Sequence, residues 1–234
     1  DSFPKIHDEI RKIPGLFNKT LESYNLVKNS FKNCIATCNL TVSENNCDKI
    51  EKIYYFLTNE CKIETINPII VRDEGVYKIS NTTKEKILSA YKILTNLILK
   101  DVKRKKIRGF SNFFLEGEIL NSKNEISYDM IINSYIKPQF YTPCVAGKIF
   151  GVIKSNGDVF PCEILDESKI MDNLKDYNFN FLKLWLAKKN DGVRKWIKDT
   201  KCNCHWECIY IYNLISNKKY LSKILTRVLS NKLN

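Results

Sequence analysis

Apolar residues recur at helical spacing over Phe17, Leu21, Tyr24, Val27 and Phe31, directly after a Pro14-Gly15 turn. Cys34 to Val42 then reads as a strand, with Ile35, Ala36, Leu40 and Val42 among its apolar members. Ser43 to Asn46 starts a helix whose Ile50, Ile53, Tyr54 and Leu57 share one face. Ile63 to Val71 reads as a second strand, and Pro68 within it predicts an edge, a bulge or an early end, because proline donates no ladder hydrogen bond. Thr82-Thr83-Lys84-Glu85 has the form of a capping box, and Ile87, Leu88, Tyr91, Leu94 and Ile98 line one face of the helix after it. Helix, strand, helix, strand, helix is the order of parallel βα units. Two strands are too few for a sheet covered on both faces, so the rest of the sheet is expected upstream of Asp1.

The pattern changes after about residue 105. Residues 106–140 read as a connecting segment between an α/β region, 1–105, and a different region, 141–234. Within the connection only Ile126 to Ile136 suggests a helix. Ile149 to Ile153 and Val159 to Cys162 flank Ser155-Asn156-Gly157-Asp158, and Asn-Gly between apolar runs predicts a hairpin. Helices are expected near Phe179–Lys188, near Val193–Lys198 and from Ile209 onward.

Composition narrows the function classes. The chain has 234 residues, 44% of them hydrophobic, which suffices for a real core. The most apolar run, Ile93 to Leu99, is short and interrupted by Thr95 and Asn96, far from the ~18 apolar residues of a membrane span. No membrane partner is expected. The formal charge is +12, but the excess is spread along the chain. Its one dense cluster, Lys103 to Arg108, reads as a solvated loop after a helix rather than an anion contact. It lacks the interleaved aromatics of single-strand binders, so nucleic acid is not an expected partner. The first residues, Asp1-Ser2-Phe3-Pro4, suggest a trimmed product or a fragment. Nine cysteines, an odd number, fit reduced cytoplasmic thiols better than a disulfide scaffold.

Five of those cysteines are placed for chemistry. Cys144 precedes the predicted hairpin and Cys162 ends it, so the hairpin can bring both sulfurs to one place. Cys202-Asn203-Cys204-His205-Trp206-Glu207-Cys208 packs three thiols into seven residues. Two loops with at least two thiols each can build a four-sulfur cage, which suits zinc or an iron–sulfur cluster. Spacing does not separate the two, although a Cys-x-Cys step is less usual for zinc. Cys34, Cys38, Cys47 and Cys61 read as core thiols, and His7 and His205 as structural or surface histidines.

The cysteine motifs resemble those of a known family. Cys144-Val145-Ala146-Gly147 and Asn156-Gly157-Asp158-Val159-Phe160-Pro161-Cys162-Glu163 are similar to the hallmark of the SPASM or twitch domain at the C-terminal end of radical S-adenosylmethionine enzymes. Ile170-Met171-Asp172-Asn173-Leu174 resembles the Gly-Asn-Leu turn that follows, with Asp172 in place of the glycine. Upstream, His7-Asp8-Glu9-Ile10-Arg11 and Pro14-Gly15-Leu16-Phe17 resemble the segment after the family's fourth barrel strand, with Ser2 where glycine is usual. Thr41-Val42-Ser43 and Asn46 resemble the next strand end.

The resemblance implies an α/β fold: a partial (βα)6 TIM-like barrel followed by a small α+β SPASM/twitch domain. It implies an auxiliary 4Fe–4S cluster on four of Cys144, Cys162, Cys202, Cys204 and Cys208. It implies S-adenosylmethionine in the full-length protein, with Arg11 at the carboxylate, then Arg72 and Ser43 as further contacts. The family's Cys-x3-Cys-x2-Cys loop is missing from this chain; Cys34-x3-Cys38 reproduces only its first step. The chain alone is therefore expected to be inactive. A peptide or protein substrate, as for a maturase, and an electron donor such as a flavodoxin or ferredoxin are implied as partners. The alternative from the residues alone is a non-catalytic zinc-binding interaction module.

Overall fold

A computed structural model describes residues 1–31, 36–72, 79–109 and 114–233. It divides into two compact units, residues 1–136 and 137–234. The chain is a mixed α/β protein.

The first unit opens with two short helices, α1 (Pro4–Arg11) and α2 (Leu16–Ser30). Asp8 fixes the turn between them. Its carboxylate accepts the backbone N–H of Gly15 at 2.6 Å and of Phe17 at 2.8 Å. Those are orphan donors at the start of α2, so Asp8 caps a helix that its own element precedes. Gly15 there has φ +75°, a backbone conformation that suits glycine. The rings of Phe17 and Phe56 pack at 5.8 Å, and Phe3 meets Phe56 at 5.3 Å.

Strand β1 spans Cys38–Val42, shorter than the sequence suggests: Ala36 and Thr37 are not in a strand, and Cys34 and Ile35 lie outside the described residues. Strand β2 spans Ile66–Ile70 and runs parallel to β1, Leu40 opposite Pro68. Among the described residues β2 pairs only with β1, an edge position that tolerates Pro68. A 3-10 turn (Cys47–Lys49), helix α3 (Ile50–Tyr55) and a π-helical turn (Phe56–Glu60) make the crossover. The predicted apolar face of Ile50, Ile53, Tyr54 and Leu57 is buried, as are Leu40, Val42, Ile66 and Ile70 of the sheet.

Helix α4 (Asn81–Lys103) covers this core with Ile87, Leu88, Tyr91, Leu94 and Ile98, all buried. Its cap is not the predicted Thr82 box. Ser80 is the N-cap, and its hydroxyl accepts the Thr83 N–H at 3.2 Å. The pattern Ser80-x-x-Thr83 begins two residues earlier, and the first turn follows it. Tyr54 donates to the buried Asp101 carboxylate at 3.0 Å, tying α3 to α4. Residues expected to be a mixed connection instead form helix α5 (Phe114–Ile136), of which only the second half shows a helical pattern in the sequence. Among the described residues the sheet has two strands and does not close into a barrel.

The second unit carries the predicted hairpin as β3 (Val152–Ile153) and β4 (Asp158–Phe160), antiparallel with Val152 opposite Phe160. A third strand that the pattern did not announce, β5 (Asp172–Asn173), pairs with β4. Short 3-10 turns at Glu167–Lys169, Leu174–Tyr177 and Lys188–Asn190 and the helices α6 (Phe181–Trp185), α7 (Asp191–Asp199), α8 (Glu207–Ile215) and α9 (Lys218–Leu233) complete the described part of the unit. No described helix is long and apolar enough to cross a membrane.

Candidate metal centre

The site begins with two turns that bend the chain back on itself. After Cys144, Gly147 adopts φ +74°, and its N–H bonds the Phe150 carbonyl at 2.8 Å. A Cβ at Gly147 would stand 3.1 Å from the Pro161 side chain, so the Cys144 loop lies directly against the residue before Cys162. At the hairpin tip Gly157 has φ +96°. Asp158 stabilises that tip. Its carboxylate takes the side-chain N–H of Asn156 at 2.6 Å and of Asn173 at 2.8 Å. These two bonds, Asn173 first, hold the Asp158 carboxyl below the usual carboxylate range.

Arg194 of α7 clamps the two parts together. Its Nε donates to the Gly147 carbonyl at 2.7 Å, its guanidinium also donates to the Trp185 carbonyl, and Nη1 pairs with Asp191. Beyond α7, Lys201 turns left-handed at φ +49°, and the Cys202 N–H bonds the Ile197 carbonyl at 3.0 Å. Tyr210 of α8 donates to the Cys204 carbonyl at 2.7 Å. The buried Asn213, one turn further along α8, accepts the Val145 N–H at 2.9 Å.

The result is one small cavity of about 20 Å³ lined by Cys144, Cys162, Cys202 and Cys204, with Ile164, Ile209 and Asn213 among its other walls. Cys162 is buried, and the other three are half-buried. Cys208 is exposed on the first turn of α8, outside the cavity. All eight described cysteines are free thiols.

The four thiols are electrostatically linked. The Cys144 thiol is lowered to about 7. Contact with Cys202 lowers it most; burial opposes that, and the Ala146 N–H and the Asn213 side chain lower it further. Cys202 is pushed up by the same contact, then by burial and by the charges of Cys144, Cys204 and Cys162. Burial also raises Cys162. Among the described residues no three His, Cys, Asp or Glu side chains stand in ligating geometry around a point. The donor set nonetheless fits a thiophilic centre: four soft thiols line one cavity, and no Asp or Glu carboxylate is among its walls.

Asn213, Tyr210 and Arg194 were not singled out from the sequence. Asn213 had a signal: it is the polar residue in the otherwise apolar run Ile209-Tyr210-Ile211-Tyr212-Asn213-Leu214-Ile215. Arg194 had only its neighbour Asp191 as a local partner, a pair that reads as a surface ion pair, while the contact that reaches the Cys144 loop is to the Gly147 carbonyl 47 residues away. Cys38, Cys47 and Cys61 belong to the first unit and are not among the walls of the cavity, and Cys34 of the Cys34-x3-Cys38 step lies outside the described residues.

In the first unit Arg11 grips a carboxylate, but that of Asp1: Nε to Oδ2 at 2.6 Å and Nη2 to Oδ1 at 3.0 Å. Arg11 lines a cavity of about 620 Å³ with His7, Phe17, Cys38 and Leu40. Ser43 and Arg72 are not among its walls; they follow the C-terminal ends of β1 and β2. The Asn46 side chain links the two places. It accepts the Ser43 N–H at 2.9 Å and donates to the Thr41 carbonyl at 2.7 Å and the Asp1 carbonyl at 2.5 Å.

Comparison with protein-family models gives no match, and no curated protein matches the chain. Among solved structures, anSMEcpe with bound AdoMet and Kp18Cys peptide is similar at a TM-score of 0.47 and 15% identity, over 93% of this chain and 62% of that one. The chain thus spans about 62% of that structure's length.

Proposed function

We propose that the 137–234 unit binds an auxiliary 4Fe–4S cluster and that the chain is the C-terminal part of a radical S-adenosylmethionine enzyme, a peptide- or protein-modifying maturase of the cytoplasm. One observation carries the reading: Cys144 and Cys162, at the two ends of the hairpin, share a cavity with Cys202 and Cys204 from the loop between α7 and α8. The SPASM/twitch-like motifs supply the family. Cys144, Cys162, Cys202 and Cys204 would hold the centre, and Cys208 would be spare. When bound, such a cluster supplies an electron relay or an anchor for substrate.

The chain's own residues prepare the site. Arg194 fixes the Cys144 loop, Asn213 orients Val145 and Cys144, and Tyr210 fixes Cys204. Outer-shell bonds of this kind set ligand orientation. In the first unit the planar Arg11 fork suits the carboxylate of S-adenosylmethionine. That role requires Asp1 to be displaced from it. Ser43 and Arg72, at strand ends of a partial (βα)6 barrel, would be further contacts, since such barrels gather function at C-terminal strand ends. A peptide or protein substrate and a flavodoxin or ferredoxin donor complete the reading.

A second reading is a structural zinc site. The mutual hydrogen bond of Cys144 and Cys202 and the small cavity favour it, because thiolates on a single tetrahedral ion sit close together. Anaerobic purification of the chain separates the two. Brown protein with equal iron and acid-labile sulfide supports the cluster; colourless protein with stoichiometric zinc overturns it. Cys162→Ser should lose the metal, whereas Cys208→Ser should keep it.

A further inference from the structure

Helix α9 sorts its side chains into rows four residues apart. Tyr220, Ile224 and Val228 form one row, 8%, 0% and 3% exposed, and pack inward. Leu221, Leu225 and Leu229 form the adjoining row, yet they are 36%, 46% and 63% exposed. At 100° per residue the next row round the helix is Lys218, Ser222 and Thr226, and beyond it stand Lys219, Lys223 and Arg227. The helix carries no acidic residue in Lys218–Leu233. Lys219 and Lys223 lie at 5.8 and 5.5 Å from the Tyr220 ring centre, which steadies two of the cations.

One buried row suffices to hold α9 on its unit. A second leucine row, left in solvent beside it, is a ridge of the i±4 type that helices use to pack on one another. The short Ser222 and Thr226 side chains make a groove alongside, and the cation row forms the far rim. We propose that this face of α9 docks an acidic amphipathic helix of a partner protein, its apolar ridge along the Ser/Thr row and its carboxylates over Lys219 and Lys223.

Charge selects that occupant. A second copy of the chain would bring a formal charge of +12 against +12, and two all-basic α9 helices against each other. A lipid surface fits less well. Interfacial helices present aromatic anchors, whereas the only aromatic of α9, Tyr220, is turned inward. The cations are also separated from the leucines by the Ser/Thr row.

The test uses the full chain and a synthetic four-turn helical peptide bearing leucines at four-residue spacing and a glutamate flank, followed by fluorescence anisotropy. Saturable binding is expected. Leu225→Ser with Leu229→Ser should weaken it by about tenfold or more, the scale of losing two anchors at an interface. Lys219→Glu with Lys223→Glu should weaken it similarly and transfer preference to a lysine-flanked peptide. Unchanged thermal melts of the variants would show that the fold is retained. The proposal is overturned by no peptide binding, by binding indifferent to the leucine changes, or by leucine-dependent self-association in sedimentation. Leucine-dependent binding to phosphatidylglycerol vesicles without peptide binding overturns it in favour of a lipid surface. None of these readouts involves the metal, so failure here leaves the cluster reading untouched.

Discussion

Single side chains define the thiol cavity more sharply than their residue types suggest. Asn213 sits in an apolar helix, where an amide is tolerated only if its donors and acceptors are used. It uses them on Val145 and Cys144. Asn213→Leu should therefore leave α8 folded but lower metal affinity by about 10–100-fold, as for other lost outer-shell partners; competition with a chromophoric chelator measures this. Asp158 makes a pH prediction. Its folded-state carboxyl is more acidic than the unfolded one, so its stabilisation is present above the ordinary carboxylate range and is lost as pH falls through the folded value. Thermal melts between neutral pH and about pH 3 should show the loss, and Asp158→Asn should reduce that slope. Gly157 is a third such position: with φ +96° and Asn173 Oδ1 3.0 Å from any added Cβ, Gly157→Ala should destabilise the tip.

At the scale of elements, caps and clamps decide where the pattern of apolar residues begins and ends. Ser80 starts α4, so Ser80→Ala should cost about 1 kcal/mol in urea unfolding, and Thr82→Ala should cost much less. The Thr82 box misleads because its chemistry is equally good; the extended backbone of Ser80, φ −64° and ψ 153°, is what makes that residue the cap. Helix α5 was half legible. In its first turns Phe114, Leu115, Ile119 and Leu120 are interrupted by Glu116, Gly117 and Glu118, so the sequence there shows no single apolar stripe. Arg194 joins α7 to the Cys144 loop through the Gly147 carbonyl and to α6 through the Trp185 carbonyl. Arg194→Lys keeps the charge but not the planar fork, and it should lower the melting temperature of the second unit measurably.

For the whole molecule, the division at residue 136 separates two kinds of stability. The first unit rests on a dry core of Ile53, Tyr54, Ile70, Tyr91 and Leu94. The second has short strands and smaller apolar clusters around Cys162 and Val159. Metal loading should therefore protect amides of residues 144–213 in hydrogen exchange and leave the α4 core unchanged, because ligand binding stabilises only what it binds. Equal protection in both units would contradict this.

Periodicity alone determined α2, the buried face after Asn46, the long α4 and the Asn-Gly hairpin, because each rests on contacts close in sequence; the parallel strand pair, whose partners stand 28 residues apart, followed from the order of elements instead. The cysteine spacing likewise announced that two loops carry the thiols. Tertiary structure alone decided which thiols meet: Cys204 turns into the cavity and Cys208, four residues on, turns out. It also decided that Asn213 and Arg194 serve the site, and that Arg11 holds Asp1. Those outcomes depend on chain segments that are distant in sequence and meet only once the packing of helices and hairpin is complete, and no local pattern encodes that meeting.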